Sequence, residues 1–200
     1  CGGEGRGEGP GARFTAHLSA VVEWLQAIGV TIDHAGESLF VSRCSDLRSV
    51  NYEAAPHPGL PTDLQAQAMA LLCLAEGHSE VVDAVFPERF MHASELCRMG
   101  ADITRHAGGA SVRGVSKLHG TNVMASDLRA SAALVLAALA AEGTTIIRRI
   151  YHLDRGYADL HGKLVALGAQ VERITESPHI DAQPPIPVLP NPLRDLRASA

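Results

Sequence analysis

The chain has 200 residues, 46% of them hydrophobic, which suits one ordinary domain with a sizeable core or a large part of a two-domain protein. Seventeen Lys and Arg against 22 Asp and Glu leave a net charge of −5, so no overall basic field draws the chain to nucleic acid or an anionic membrane, and any anion site must be local. Cys1, Cys44, Cys73 and Cys97 are scattered without a CxxC pair, which argues against a zinc site or redox motif and reads as buried free thiols. The longest apolar stretch, Ala130 to Ala141, is too short and alanine-rich for a membrane span, and the N-terminus has no signal pattern. Together these features describe a soluble protein of the reducing cytoplasm.

In chain order, residues 1–13 form a glycine-rich head expected to be flexible; its GRGEGPG has no strand before it and no Lys-Ser/Thr after it, so it is no phosphate loop. HLSAVVEWLQAIGVTI, from His17, predicts an amphipathic helix, a glycine stop and a strand, and SLFVSR, from Ser38, predicts another strand. DLQAQAMALLCLAEGHSEVV, from Asp63, and DLRASAALVLAALAAEGTTII, from Asp127, repeat one pattern: capping Asp, Ala/Leu helix, Glu-Gly, β-branched strand. Downstream of Gly77 and Gly143 stand Arg89 and Arg155, each leading into a second helix that ends in MGADI or LGAQV, as the first helix ends at Ile28 to Ile32. ASVRGV and TTIIRRI predict further strands. Three copies of a strand-and-helix unit emerge: an incomplete first over about residues 14–54, a second over about 55–120 and a third over about 121–175. The tail, residues 176–200, is proline-rich and expected to be disordered.

Two constellations carry chemistry. In AAPHPGLPTDLQAQ the prolines stiffen a turn that presents Asp63 at a helix mouth, where it either caps the helix with Thr62 or orients and deprotonates a substrate hydroxyl. Arg89, Arg129 and Arg155 suit planar recognition of carboxylate and phosphate, or else pair with the nearby Glu88, Asp127 and Asp154. Arg129 raises its own question, since a cation in a first helical turn opposes the helix dipole. His57, His92 and His152 flank these motifs at spacings that support no metal, so hydrogen bonding is their expected role.

EAAPHPGLPTDLQAQ, ERFMHASELCRMGADI, VMASDLRASAALVLAALAAEGTT and RIYHLDRGY, in this order, closely resemble the UDP-N-acetylglucosamine 1-carboxyvinyltransferase family of enolpyruvyl transferases, over about Thr15 to Ile174. The resemblance implies an α/β fold of the inside-out barrel type, with threefold βαβαββ repeats whose helices lie inside and sheets outside. The implied reaction moves the enolpyruvyl group of phosphoenolpyruvate to the 3′-hydroxyl of UDP-N-acetylglucosamine, releases phosphate and opens peptidoglycan synthesis. It requires no cofactor and no metal.

By resemblance Asp63 binds the sugar hydroxyl and takes its proton, while Val85 and Phe86 form the loop against the sugar nucleotide. Arg129 and Arg155 hold phosphoenolpyruvate, Arg89 is a further cleft arginine, and Asp127 orients these groups. The family's loop cysteine stands in no matching context here, and Pro87 replaces an asparagine-type position. The chain therefore reads as a C-terminal domain that is inactive alone and partners the N-terminal domain of the same enzyme. A non-catalytic sugar-nucleotide-binding module and a transferase acting on shikimate phosphate are the competing readings.

Overall fold

The computed structural model describes residues 18–35, 38–42 and 46–174, so the head and tail expected from the sequence, with Cys1 and Cys44, lie outside the described residues. Helix α1 (Ser19–Ile28) buries Trp24 and Ile28, four positions apart and thus on one face. Gly29, at φ 111°, stops it in the left-handed conformation that only glycine adopts without strain. Strands β1 (Thr31–Ala35) and β2 (Ser38–Ser42) then pair antiparallel, from Thr31 opposite Ser42 to Ala35 opposite Ser38.

The next elements form one four-stranded sheet. Strand β3 (Tyr52–Ala54) leads through a 3-10 turn, Thr62–Leu64, into helix α2 (Gln65–Leu72), which crosses over to the parallel strand β4 (His78–Asp83). Helix α3 (Met91–Arg98) follows, then the antiparallel hairpin of β5 (Asp102–His106) and β6 (Gly109–Arg113). The strand order is β3-β4-β6-β5, so β6 is paired on both edges. Thr31 pairs with Ser42 as Asp102 pairs with Arg113, at the same separation, which makes β2 the counterpart of β6; yet among the described strands β2 has one neighbour only.

Strand β7 (Asn122–Met124), helix α4 (Leu128–Ala140) and strand β8 (Ile146–Arg148) repeat the parallel crossover. Helices α5 (Tyr151–Asp154) and α6 (Leu160–Ala166) complete the described elements. All of them belong to a compact unit that ends at Gln170; residues 171–174, in the segment beyond, carry no helix or strand.

Two of the expected helix stops are misplaced. Helix α2 ends at Leu72 and α4 at Ala140, so Gly77 and Gly143 cap neither. Instead Glu76 bridges to Arg48 and Glu142 to His119, and the positive φ of each glycine turns the chain from that bridge into the following strand. Cys97 also departs from expectation: it is exposed, while Cys73 is buried and its thiol is pushed up to about 12 mainly by that burial.

Helices α2 and α4 make the most extensive helix–helix contact. Ala66, Ala70, Ala130, Ala133 and Ala137 are buried there, and small side chains let the helices approach closely while Met69, Leu72 and Leu134 fill the space around them. Both helices carry apolar residues around most of their circumference, a pattern that favours burial on more than one side. Nevertheless Leu136 is 47% exposed, and with Trp24, Leu25, Tyr52, Leu71 and Ala140 it lines an apolar groove of about 360 Å3 between α1, α2 and α4.

Gly114 brings β6 against the end of α2: a Cβ there would lie 1.7 Å from the Ala75 carbonyl oxygen. Gly114→Ala is expected to cost about 3 kcal/mol through forced backbone displacement. Gly108→Ala, where φ is +77° but no atom lies within 4 Å, is expected to cost only about 1 kcal/mol. Urea unfolding of the two variants checks the order.

Candidate functional site

The site residues expected from the sequence all follow the C-terminal ends of parallel strands. Asp63 comes after β3, Val85, Phe86 and Arg89 after β4, Asp127 and Arg129 after β7, and Arg155 after β8. Ligands of parallel α/β sheets bind at this edge because crossover loops and helix N-termini converge there. The close contact of α2 with α4 brings the two crossovers together.

Asp63 is the centre of the cluster. Its Oδ1 accepts from Arg129 Nε at 2.7 Å and lies 2.5 Å from Arg129 Nη2, with Arg89 Nη1 at 3.7 Å. All these contacts go to one oxygen; Oδ2 has no partner among the described residues. Neither Thr62 nor Asp63 caps α2, because the 3-10 turn intervenes, and Arg89 and Arg129 pair with Asp63 rather than Glu88 or Asp127. Arg89 Nη1 is buried without a hydrogen-bond acceptor, since 3.7 Å is too long for one, and its guanidinium lies 3.8 Å above the Phe86 ring.

Asp127 does cap its helix, accepting from the backbone N–H groups of Arg129 and Ala130 at 2.8 and 2.9 Å. Its charge offsets the dipole at the turn where Arg129 begins, and the Arg129 side chain leaves that turn for Asp63. Arg155 is exposed in the loop after α5, and no ion pair joins it to Asp63 among the described residues. Its loop is nonetheless fastened to the same end of the unit. Gly156 packs so tightly on Leu128 that a Cβ would meet it at 2.6 Å, and Tyr157 Oη accepts from Gln67 Nε2 at 3.3 Å.

Asp83, which the sequence reading missed, ties two parts of the site together. It is fully buried at the end of β4; its Oδ1 accepts from the N–H groups of Val85 and Phe86 at 2.9 and 2.8 Å, and its Oδ2 from the Thr62 hydroxyl at 2.6 Å. The available signal was an Asp directly after a β-branched strand, which favours a turn closed on its own side chain. Tyr52 adds a second anchor by donating to the Pro61 carbonyl at 2.6 Å; burial first, then the Asp83 and Asp63 carboxylates, raise its pKa, so it remains a donor.

Of the three flanking histidines, His92 and His152 each bury an Nε2 that has no hydrogen-bond partner among the described residues, and His92 stacks on Phe90 with ring centroids 6.1 Å apart. Among the described residues no group of His, Cys, Asp and Glu could hold a metal ion, and no helix is long and apolar enough to cross a membrane.

Comparison with known proteins supplies a context for this geometry. A family model described as EPSP synthase (3-phosphoshikimate 1-carboxyvinyltransferase) matches residues 11–164. A UDP-N-acetylglucosamine 1-carboxyvinyltransferase of Geotalea daltonii is 54% identical over 160 residues, covering 80% of this chain and 38% of that protein. One from Ruegeria pomeroyi is 53% identical over 175 residues, 87% of this chain and 41% of the relative. The crystal structure of the enolpyruvyl transferase NikO from Streptomyces tendae superposes with a TM-score of 0.78 at 35% identity, over 84% of this chain and 39% of that one. The chain thus spans about two fifths of the length of these relatives.

Burial of His92 has a measurable consequence. Desolvation first, with Arg105 adding and Asp127 opposing, lowers it from an ordinary 6.5 to about 4. A folded value below the unfolded one means that protons favour the unfolded chain, so the contribution is whole above pH 6.5 and erodes as the pH falls toward 4. The expected loss is up to about 3 kcal/mol. Chemical unfolding between these pH values, compared with His92→Phe, is expected to show a flatter pH dependence in the variant.

Proposed function

The chain belongs to the EPSP synthase family of enolpyruvyl transferases, and on that premise we propose that it forms one wall of an active site that transfers the enolpyruvyl group of phosphoenolpyruvate to the 3′-hydroxyl of UDP-N-acetylglucosamine. The observation that carries this reading is the Asp63 carboxylate, held through Oδ1 by Arg129 and approached by Arg89. Its second oxygen is turned to neither arginine and so can receive a hydroxyl proton. The UDP-sugar is favoured over shikimate phosphate as acceptor because the relatives at 51–54% identity bear the UDP-sugar name.

In this reading the sugar hydroxyl donates to Asp63 Oδ2, and Val85 and Phe86 flank the sugar nucleotide. As the hydroxyl oxygen bonds to C2 of phosphoenolpyruvate, its proton passes to Asp63 and the C2=C3 double bond takes up a proton at C3; loss of a C3 proton then re-forms the double bond as the C2–O bond to phosphate breaks and phosphate leaves. Arg129 and Arg155 hold the carboxylate and phosphate, and Arg89 offers an Nη1 that has no hydrogen-bond acceptor among the described residues. Guanidinium groups already oriented before reaction stabilise the developing charge without reorganising. Acid chemistry at the methylene carbon falls to the rest of the enzyme, in a domain that faces this one.

The same reading assigns three copies of a βαβαββ unit to residues 14–175, with helices inside and sheets outside. Among the described residues the first copy comprises α1, β1 and β2. Two features support this: among the described strands β2 lacks the second neighbour that β6 has, and the groove between α1, α2 and α4 is lined almost wholly by apolar side chains. One further β-α-β element, with an Ala/Leu helix like α2 and α4, meets both needs. Trp24, the single tryptophan, lines the groove and reports on its filling.

The test uses the complete protein that carries these residues. Asp63→Asn is expected to lower kcat by about a hundredfold or more. Arg129→Ala is expected to raise the phosphoenolpyruvate requirement and to cost up to about 3 kcal/mol of transition-state binding. Phosphate release in the presence of both substrates is the readout; wild-type rates in both variants overturn the assignment. Residues 1–200 alone are expected to release no phosphate, and their Trp24 emission is expected to lie to the red of that in the complete protein.

A further inference from the structure

A buried carboxylate without a cation is costly unless hydrogen bonds replace its hydration. Asp83 is such a group: no salt bridge reaches it among the described residues, and it is compensated by one hydroxyl and two backbone N–H groups. An apolar residue at the end of β4 would bury more simply. The arrangement of the three donors shows what the carboxylate supplies.

Its two oxygens serve different segments. Oδ1 closes the backbone of Val85 and Phe86 over the strand end, and Oδ2 holds Thr62, the residue before Asp63. The Thr62 turn is gripped a second time where Tyr52 donates to Pro61. Phe86 in turn lies beneath the Arg89 guanidinium, which approaches Asp63. Asp63 follows β3 and the Val85–Phe86 loop follows β4, and Asp83 is the one side chain that hydrogen-bonds to both segments among the described residues.

We propose that Asp83 is a positioning residue that fixes the distance between the hydroxyl-accepting carboxylate of Asp63 and the Val85–Phe86 loop. This rests on the reading of Asp63 and that loop as the sugar-nucleotide contacts. Asp83 touches no substrate; it acts through Thr62 and through two backbone amides. Loss of the link frees both contacts for one substrate and leaves the arginines for the other in place.

Two variants of the complete enzyme test it. Asp83→Ala removes both acceptor arms, and Thr62→Val removes only the hydroxyl arm. Asp83→Ala is expected to raise KM for UDP-N-acetylglucosamine by about tenfold or more, with KM for phosphoenolpyruvate changed by less than about twofold. Thr62→Val is expected to shift the same constant in the same direction, and adding it to Asp83→Ala is expected to cost less than the sum of the two. Amide hydrogen exchange at Val85 and Phe86 is expected to accelerate in Asp83→Ala and not in Thr62→Val.

Unchanged kinetics in folded Asp83→Ala overturns the proposal. So does a parallel loss in both KM values that follows thermal stability, which marks a purely structural role. Asp63→Asn serves as the separate control: full turnover in that variant overturns the functional reading itself, whereas its loss with normal kinetics in Asp83→Ala overturns only the positioning role.

Discussion

The close packing of two alanine-rich helices is the constraint on which the site depends. Helices α2 and α4 each connect parallel strands, and each begins at the C-terminal edge of its pair. Buried alanines on both let the axes approach, so two crossovers that are remote in sequence open toward the same space. The contact between Asp63 and Arg129 follows from this packing. Larger side chains at Ala66, Ala70 or Ala133 would separate the helices, and the ion pair would be lost before the hydrophobic core was.

The ion pair itself does little to hold the fold. The Asp63 side chain is 62% exposed and that of Arg129 33%, and pairs in such solvent contact contribute roughly 0.2–1 kcal/mol. Asp83 stands in the opposite environment: it is buried, no salt bridge reaches it among the described residues, and two of its three donors are backbone N–H groups. One carboxylate is therefore exchangeable with a ligand, and the other is fixed. In the proposed site the first kind meets the ligand at the surface and the second kind lies beneath it.

Much of this was legible in the sequence, and the parts that were not share a cause. The alternation of Ala/Leu helix and β-branched strand gave the two crossovers, and MGADI and its counterparts marked glycine-stopped helices correctly at Gly29 and Gly100. Similarity between the crossover helices suggested that Asp63 and Asp127 were both caps, but only Asp127 is, because the proline before Thr62 leads into a 3-10 turn. The pairing of Arg129 with Asp63 rather than its neighbour Asp127 depends on tertiary packing across 66 positions, which no local spacing encodes. Asp83 was missed for the same reason. In EVVDAVF it looks like any aspartate at the end of a strand, and its importance comes from Thr62, which reaches it from the turn after β3.

The position of Arg129 now has a physical account. A cation in the first turn of a helix costs about 0.3–1 kcal/mol against the dipole. The Asp127 cap places a full negative charge at that turn, and the long side chain carries the guanidinium away to Asp63. What remains is a cation beside the positive end of a helix, balanced by an exposed carboxylate that a stronger anion can replace. A carboxylate or phosphate arriving there gains the guanidinium and the helix field together. In the proposed reaction, Arg129 turning to that anion would relieve Asp63 of its partner, so that binding of one substrate would adjust the group that receives the other's proton.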